Sequence, residues 1–499
     1  MTQSNKKRRS QLTTAPTSTE MTRKEKDSMG EMTVPADVLY GASTQRAVLN
    51  FPVSGRPVPE TVIRAFAILK TATANANTKL GKLPETKRDR IVGACEQILE
   101  GLDDHGGIER HFPIDTFQTG SGTSTNMNMN EVVANLVCLA NGVAIGSSKD
   151  AKYLEGETAI HPNDHVNMGQ SSNDTFPTAM HIAAAIGIKD RLLPAVHSLA
   201  TALEQKAHEW DDVVKIGRTH LQDATPIRLG QEFSGYASQL RHAEDRLERA
   251  LRTLGELAIG GTAVGTGINT HPDFSSLVAQ ELSSQTGITF REAENHFEAQ
   301  HAKDGFVEVS GLLRTIAVSM SKIANDIRWL GSGPRCGIGE LKLPAVQPGS
   351  SIMPGKVNPV ICEAVVMASC QVIGNDAALT TGGLGGVGSL LDLNVAMPMM
   401  AANLMDSIQL LTGSCSMFEE KLVAGLEPDH ERCAELIEGS LAMCTSLVPV
   451  IGYDASAKLA YAAFKQGKTV RELAIEQKLV APEELNTLLD PRSMTMPSA

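Results

Sequence analysis

The sequence is short of the features that mark disulfide, metal and membrane proteins. Its eight cysteines include no CxxC pair, which argues against zinc ribbons, thioredoxin chemistry and a disulfide framework, and fits a reducing compartment. It has no uninterrupted apolar run long enough to span a bilayer and no apolar h-region behind its basic start, so neither insertion nor secretion is indicated. Excess positive charge is missing too. The 45 Lys and Arg against 57 Asp and Glu leave a formal net charge of -12, which argues against a general affinity for nucleic acid or anionic membranes. Any anionic ligand needs a locally basic pocket. Nucleotide signatures also fail: GLGGVG at Gly383–Gly388 follows helical sequence rather than a strand, and the GKT at Gly467–Thr469 has Ala462 where a phosphate loop needs its first glycine.

What is there is length and helical periodicity. At 499 residues, 42% of them apolar, the chain can bury large cores in two or three domains or in one elongated helical body. The opening MTQSNKKRRSQLTTAPTSTE reads as a disordered basic tail, because it lacks the apolar residues an amphipathic transit peptide needs. Helical spacing runs from Ile63 to Gly101 and from Glu131 to Gly142. Further long helices are expected after Asp174, Leu229, Pro359 and Leu391. Between Asp304 and Leu330, the residues Phe306, Val309, Leu313, Ile316, Met320, Ile323, Ile327 and Leu330 form a heptad seam. These patterns divide the chain into a tail (1–24), a mostly helical N-terminal domain (25–170), a central helix bundle (171–426) and a small C-terminal helical domain (427–499). A long bundle with more than one apolar face calls for symmetric partners.

Four polar segments do not look like ordinary surface: TGSGTSTNMNMNE (Thr119–Glu131), GQSSNDTFP (Gly169–Pro177), GRTHLQDATP (Gly217–Pro226) and QPGSSIMPGKVNP (Gln347–Pro359). Each has a plain local reading. Ser172, Asn173 or Asp174 suits a helix N-cap, and Asn358 followed by Pro359 is a good helix entrance. Taken alone, His220 reads as a structural histidine and Glu363 as a half-exposed helix residue. Taken together, the segments are dense in neutral hydrogen-bond donors at helix edges, as a dicarboxylate pocket requires, and the glycines of the last one suit a loop that closes on an anion. His161 and His165 are four apart, but Pro162 and Asn163 disfavour a regular helix and no third ligand is near in sequence, so no metal site is expected.

GSSIMPGKVNP closely resembles the signature of the fumarase/aspartase superfamily, and the other three segments resemble its remaining active-site regions. The likeness runs from about Asp27 to Pro491. Within the superfamily, the histidine of GRTHLQDATP, the segments QSSND and GGTAVGTGIN, and Gly355 resemble class II fumarases more than aspartases. The resemblance implies a mainly α, three-domain fold whose long central bundle assembles into a tetrameric helical core. It also implies cofactor-free, metal-free hydration of fumarate to (S)-malate in the tricarboxylic acid cycle; the cysteine pattern and the tail, read as disordered rather than as a transit peptide, point to the cytoplasm rather than the mitochondrial matrix. His220 and Ser350 would be the catalytic pair, with Glu363 behind His220. Ser121, Gly122, Thr123, Ser171, Ser172, Asn173, Thr219, Ser351, Lys356, Val357 and Asn358 would bind substrate, with sites shared between subunits. His161, Pro162, Asn163 and Asp164 would form a secondary anion site, although ETAIHPND lacks the basic residue that class II fumarases carry before this histidine. The alternatives are an aspartate ammonia-lyase, against which His220 speaks, and a catalytically silent structural member, against which Ser350, His220, Lys356 and Asn358 speak together.

Overall fold

The computed structural model of the chain describes residues 21–497, so most of the tail expected over 1–24 lies outside the described residues. The first strand, β1 (Thr22–Asp27), takes in Thr22, Arg23 and Lys24 and pairs antiparallel with β2 (Gly30–Pro35). Next come α1 (Ala42–Asn50), α2 (Glu60–Lys79), α3 (Glu85–Glu100), α4 (Thr123–Ala140), α5 (Ser172–Gly187) and α6 (Leu193–Glu209). An antiparallel hairpin, β3 (Val214–Thr219) and β4 (Gln222–Arg228), precedes α7 (Leu229–Leu254), α8 (Phe274–Thr286) and the short α9 (His296–His301). The chain continues through α10 (Asp304–Leu330), α11 (Val360–Gly383), α12 (Met397–Lys421), α13 (His430–Gly439) and α14 (Tyr453–Gln466). The fold is mainly helical, and each sheet among the described residues has two strands.

The chain forms two compact units that do not follow chain order. The first runs to Ile188 and takes in Ala250–Gly311 and Asn375–Asp406; the second holds Lys189–Arg249, Leu312–Gly374 and everything from Ser407. In the first unit, α2 packs against α3, α5 and α8. Its face of Val62, Ile63, Phe66 and Leu69 is wholly buried, and Phe66 meets Phe176 of α5 edge to face with ring centroids 5.8 Å apart. The Glu131 carboxylate of α4 accepts the N–H groups of Gly41, Ser43 and Thr44 and the Thr44 hydroxyl, closing the open N-terminus of α1 with a negative charge. In the second unit, Val214 of β3 packs on an apolar cluster that includes Leu447, Leu459, Val470, Leu473 and Leu485.

All eight residues of the expected heptad seam lie buried along α10. Burial of each is worth roughly 1.5–3 kcal/mol, and together they hold a helix of 27 residues against its neighbours. The helix α11 behaves differently. It is apolar and long enough by composition to cross a membrane, yet Glu363 and Asp376 lie within it and only 33% of its most apolar stretch is buried in the chain. Met367 is 67% exposed.

Candidate active site

The first unit brings two of the polar segments together. Gly122 closes the turn before α4 at φ 73°, and a Cβ there would lie 2.0 Å from the Phe176 ring, so both conformation and space demand glycine. This packing sets the start of α4 beside the start of α5. The Ser121 Oγ and Thr123 Oγ1 are 2.8 Å apart, and Thr123 Oγ1 is 2.7 Å from Ser172 Oγ. Three hydroxyls joined by two hydrogen bonds keep one proton and several lone pairs for a ligand.

The α5 cap is Ser171. Its Oγ accepts the Asn173 N–H, while Asp174 Oδ1 accepts the Ser171 N–H. The capping role expected of Ser172, Asn173 or Asp174 therefore falls to a different residue, because the helix begins one position earlier. That leaves the Ser172 hydroxyl for Thr123, and the Asn173 Nδ2 donates to Ala263 O at 2.8 Å.

In the second unit, Thr219 ends β3, and His220 and Leu221 make the two-residue turn into β4. Both carry left-handed backbone, φ 59° and 57°, which a tight hairpin turn requires and which asparagine or glycine normally supplies. Strain of about 1–2 kcal/mol per residue must be held by the hairpin's surroundings. It is held by charge. Arg218 donates to both oxygens of Glu340, at 2.7 and 3.1 Å, and Lys215 Nζ lies 3.4 Å from Glu340 and 3.3 Å from Glu232. Glu340 and Lys215 are almost wholly buried, so losing either partner would strand an unpaired charge.

The stretch 347–359 is a clasped loop in the same unit. Gly349 N–H donates to Lys356 O at 2.8 Å, and Asn358 Nδ2 donates to Gly349 O at 2.8 Å. A Cβ on Gly349 would lie 2.5 Å from Lys356 O, and Gly355 turns the chain at φ 80°. Asn358 thus ties the loop shut instead of capping α11, which starts at Val360. Within the clasp, Ser350 Oγ accepts the N–H groups of Ile352 and Met353 at 3.2 and 3.1 Å. Two backbone donors aimed at one hydroxyl oxygen favour its deprotonated form. Ser351, Lys356 and Val357 are exposed. Among the described residues, no acceptor or carboxylate binds the Lys356 ammonium.

Glu363 is exposed on the first turn of α11, and no hydrogen bond among the described residues joins His220 to Glu363 or Ser350. His161 Nδ1 accepts the N–H groups of Asn163 and Asp164, which puts its remaining proton on Nε2, and burial holds its pKa below the usual range. His161 and Asn163 edge a cleft of about 480 Å³ lined also by the cations of Lys24, Lys26 and Lys149 and the carboxylates of Glu25, Asp27, Glu31 and Asp150. The basic residue missing before His161 in sequence has a counterpart there in Lys149, whose charge acts on the imidazole. His165 is engaged by the His161 N–H and by Lys87 Nζ, and no described group of three or more His, Cys, Asp or Glu is placed to hold a metal ion.

Sequence reasoning missed the supports of this site: Arg218 and Glu340 under the hairpin, and Lys70 under the serine turn. Lys70 did leave a signal. It continues the apolar spacing of Ile63 and Ala67 on α2, where a lysine has no business facing water.

A family model described as Lyase matches residues 30–374, and one described as Fumarase C C-terminus matches residues 443–496. The chain is 52% identical over 462 residues to a Fumarate hydratase class II of Corynebacterium glutamicum, covering 92% of this chain and 93% of that one. It is 48% identical over 476 residues to the enzyme of that name from Neisseria meningitidis, covering 95% and 99%. Among solved structures, a class II fumarase from Schistosoma mansoni superposes with a TM-score of 0.89 at 39% identity, over 96% of this chain and 100% of that one. A fumarate lyase:delta crystallin from Brucella melitensis superposes with a TM-score of 0.82 at 44% identity, over 91% and 100%.

Proposed function

The chain belongs to the lyase family of class II fumarate hydratases, and on that premise we propose that it interconverts fumarate and (S)-malate as a step of the tricarboxylic acid cycle. The observation that carries the chemistry is the Ser350 oxygen held by two backbone N–H groups, in a loop whose one ammonium, Lys356, has no partner of its own among the described residues.

Ser350 takes the proton from the carbon beside a malate carboxylate. The electron pair left behind spreads into that carboxylate, where Lys356, Asn358 and the hydroxyls of Ser121, Thr123, Ser171, Ser172 and Ser351 meet the growing charge, with Asn173, Thr219 and Val357 completing the pocket. The pair then forms the double bond as the C–O bond breaks. The hydroxyl leaves as water with a proton supplied from His220, which Glu363 orients, through a bound water. Hydration runs the same steps backwards.

The pocket is shared between subunits of a homotetramer. This agrees with His220, Glu363 and Ser350 standing unjoined in one chain and with the apolar face of α11 left open. His161, Pro162, Asn163 and Asp164, with Lys149 across their cleft, form the secondary anion site. Bacterial relatives support a cytoplasmic location, although a relative from Arabidopsis thaliana is named mitochondrial.

The deciding assay incubates the protein separately with L-malate and L-aspartate and follows the ultraviolet absorbance of fumarate. Malate alone should respond, and a chelator should not change the rate. A faster response to aspartate would make this an ammonia-lyase, and silence with both would favour the structural alternative.

A further inference from the structure

Lys70 is a lysine with no exposed surface, in the middle of α2. Its Nζ donates to three side-chain oxygens: Asn126 Oδ1 at 2.8 Å, Gln170 Oε1 at 2.9 Å and Asn167 Oδ1 at 3.1 Å. All three acceptors are neutral. Asn167 Oδ1 also receives the amides of Asn126 and Asn130, so one oxygen collects donors from two helices, while Asn167 Nδ2 donates to Gln170 O in the turn before α5. The network touches the proposed pocket at both edges. Gln170 immediately precedes Ser171, and Asn126 lies one helical turn after Thr123.

A buried ammonium ordinarily finds a carboxylate, because neutral dipoles only partly replace the water it has lost. Here no carboxylate among the described residues lies within hydrogen-bond reach. The one that acts on Lys70 from α5 is Asp174, whose oxygens are already held by the N–H groups of Ser171, Gly260 and Thr262. From α3 the titratable neighbour is the Cys95 thiol, itself pushed up to about 12 by burial. On α8, Glu281 is held by Asn75 and Lys79 at the C-terminal end of α2. Desolvation consequently pulls the Lys70 ammonium down to about 7. The buried charge is therefore incompletely balanced until an anion arrives.

We infer that Lys70 is a positioning residue for the dicarboxylate: its ammonium fixes the serine turn and the Thr123 hydroxyl in register, and the substrate's negative charge in turn holds the proton on Lys70. The inference rests on the function proposed above. Its consequence is a coupling that direct substrate ligands do not explain, in which malate binds more weakly as Lys70 loses its proton. Lysine is the residue for this task because it presents three rotatable donors on a flexible stem, whereas the planar fork of arginine would not meet three converging oxygens.

The test compares kcat and KM for L-malate between about pH 6 and about pH 9 in the wild type, Lys70→Met and Gln170→Leu, with oligomeric state and helicity checked for each. In the wild type, KM should rise above about pH 7, by up to about tenfold per pH unit. Lys70→Met should start with a KM at least about tenfold higher, show no such rise, and keep kcat within about threefold. Gln170→Leu removes one acceptor of the ammonium and should move the onset of the rise to lower pH. This variant carries the test if Lys70→Met does not assemble. Variants that keep the wild-type KM and its pH dependence, or a Lys70→Met that loses kcat at unchanged KM, overturn the inference alone. A wild type inert toward both malate and fumarate overturns the functional reading and this one with it.

Discussion

Lys356 and Gly122 mark opposite ends of what one residue can do here. The Lys356 ammonium is exposed and, among the described residues, unpaired, so removing it should spare the fold and strike the chemistry. Lys356→Met should lower kcat/KM by about a hundredfold or more with the thermal midpoint unchanged, and near-normal turnover would mean that the loop does not grip the substrate. Gly122 has no side chain to offer a ligand, yet any Cβ there enters the Phe176 ring. Gly122→Ala should destabilise by about 1–3 kcal/mol in urea unfolding. A third residue answers to pH. His111 Nδ1 accepts the Leu39 N–H, so protonation would set two donors against each other, and burial holds His111, like His181, down to about 4. These folded values lie below the unfolded value near 6.5, so the stability these neutral imidazoles contribute is present above about pH 6.5 and lost as pH falls through about 4. Denaturant midpoints should drop across that window, and less steeply in His111→Gln.

At the scale of elements, α10 gives the simplest expectation. Leu313 sits in the centre of a fully buried seam, and Leu313→Ala should cost about 2–5 kcal/mol, read as a shift in the urea midpoint. This helix was legible in the sequence because a strict repeat of apolar residues over many turns leaves no alternative face to bury. The clasped loop was legible as a loop, since its glycines and prolines forbid a helix, but Asn358 misled. Its side chain suits a helix cap and an internal tie equally well, and only the closeness of Gly349 decides between them. The hairpin at His220 was recognisable only through resemblance to known enzymes. Neither His220 nor Leu221 announces left-handed backbone, and the pair that steadies it, Arg218 and Glu340, is separated by 122 residues. Hydroxyl clusters are hidden for the same reason, because Thr123 and Ser172 become neighbours only when Phe176 packs under Gly122.

For the whole molecule the decisive question is which chain supplies which part of the pocket. His220→Asn and Ser350→Ala subunits should each be inactive alone. Unfolded and reassembled together in equal amounts, they should recover roughly a quarter of wild-type activity, since each of two independent positions is intact about half the time. A mixed tetramer no more active than its parents would place both residues on one chain and remove this reason for assembly. The open face of α11 bears on the same point from another side. If further copies cover that apolar area, as proposed, the persistence of the fold becomes a matter of mass action. Dilution then works as a denaturant: the thermal midpoint should climb with the logarithm of protein concentration, and very dilute samples should lose activity that concentrated ones retain. The same relation sets a condition on synthesis, because a cell making only a few copies at a time would hold chains that are folded in outline and not yet enzymes.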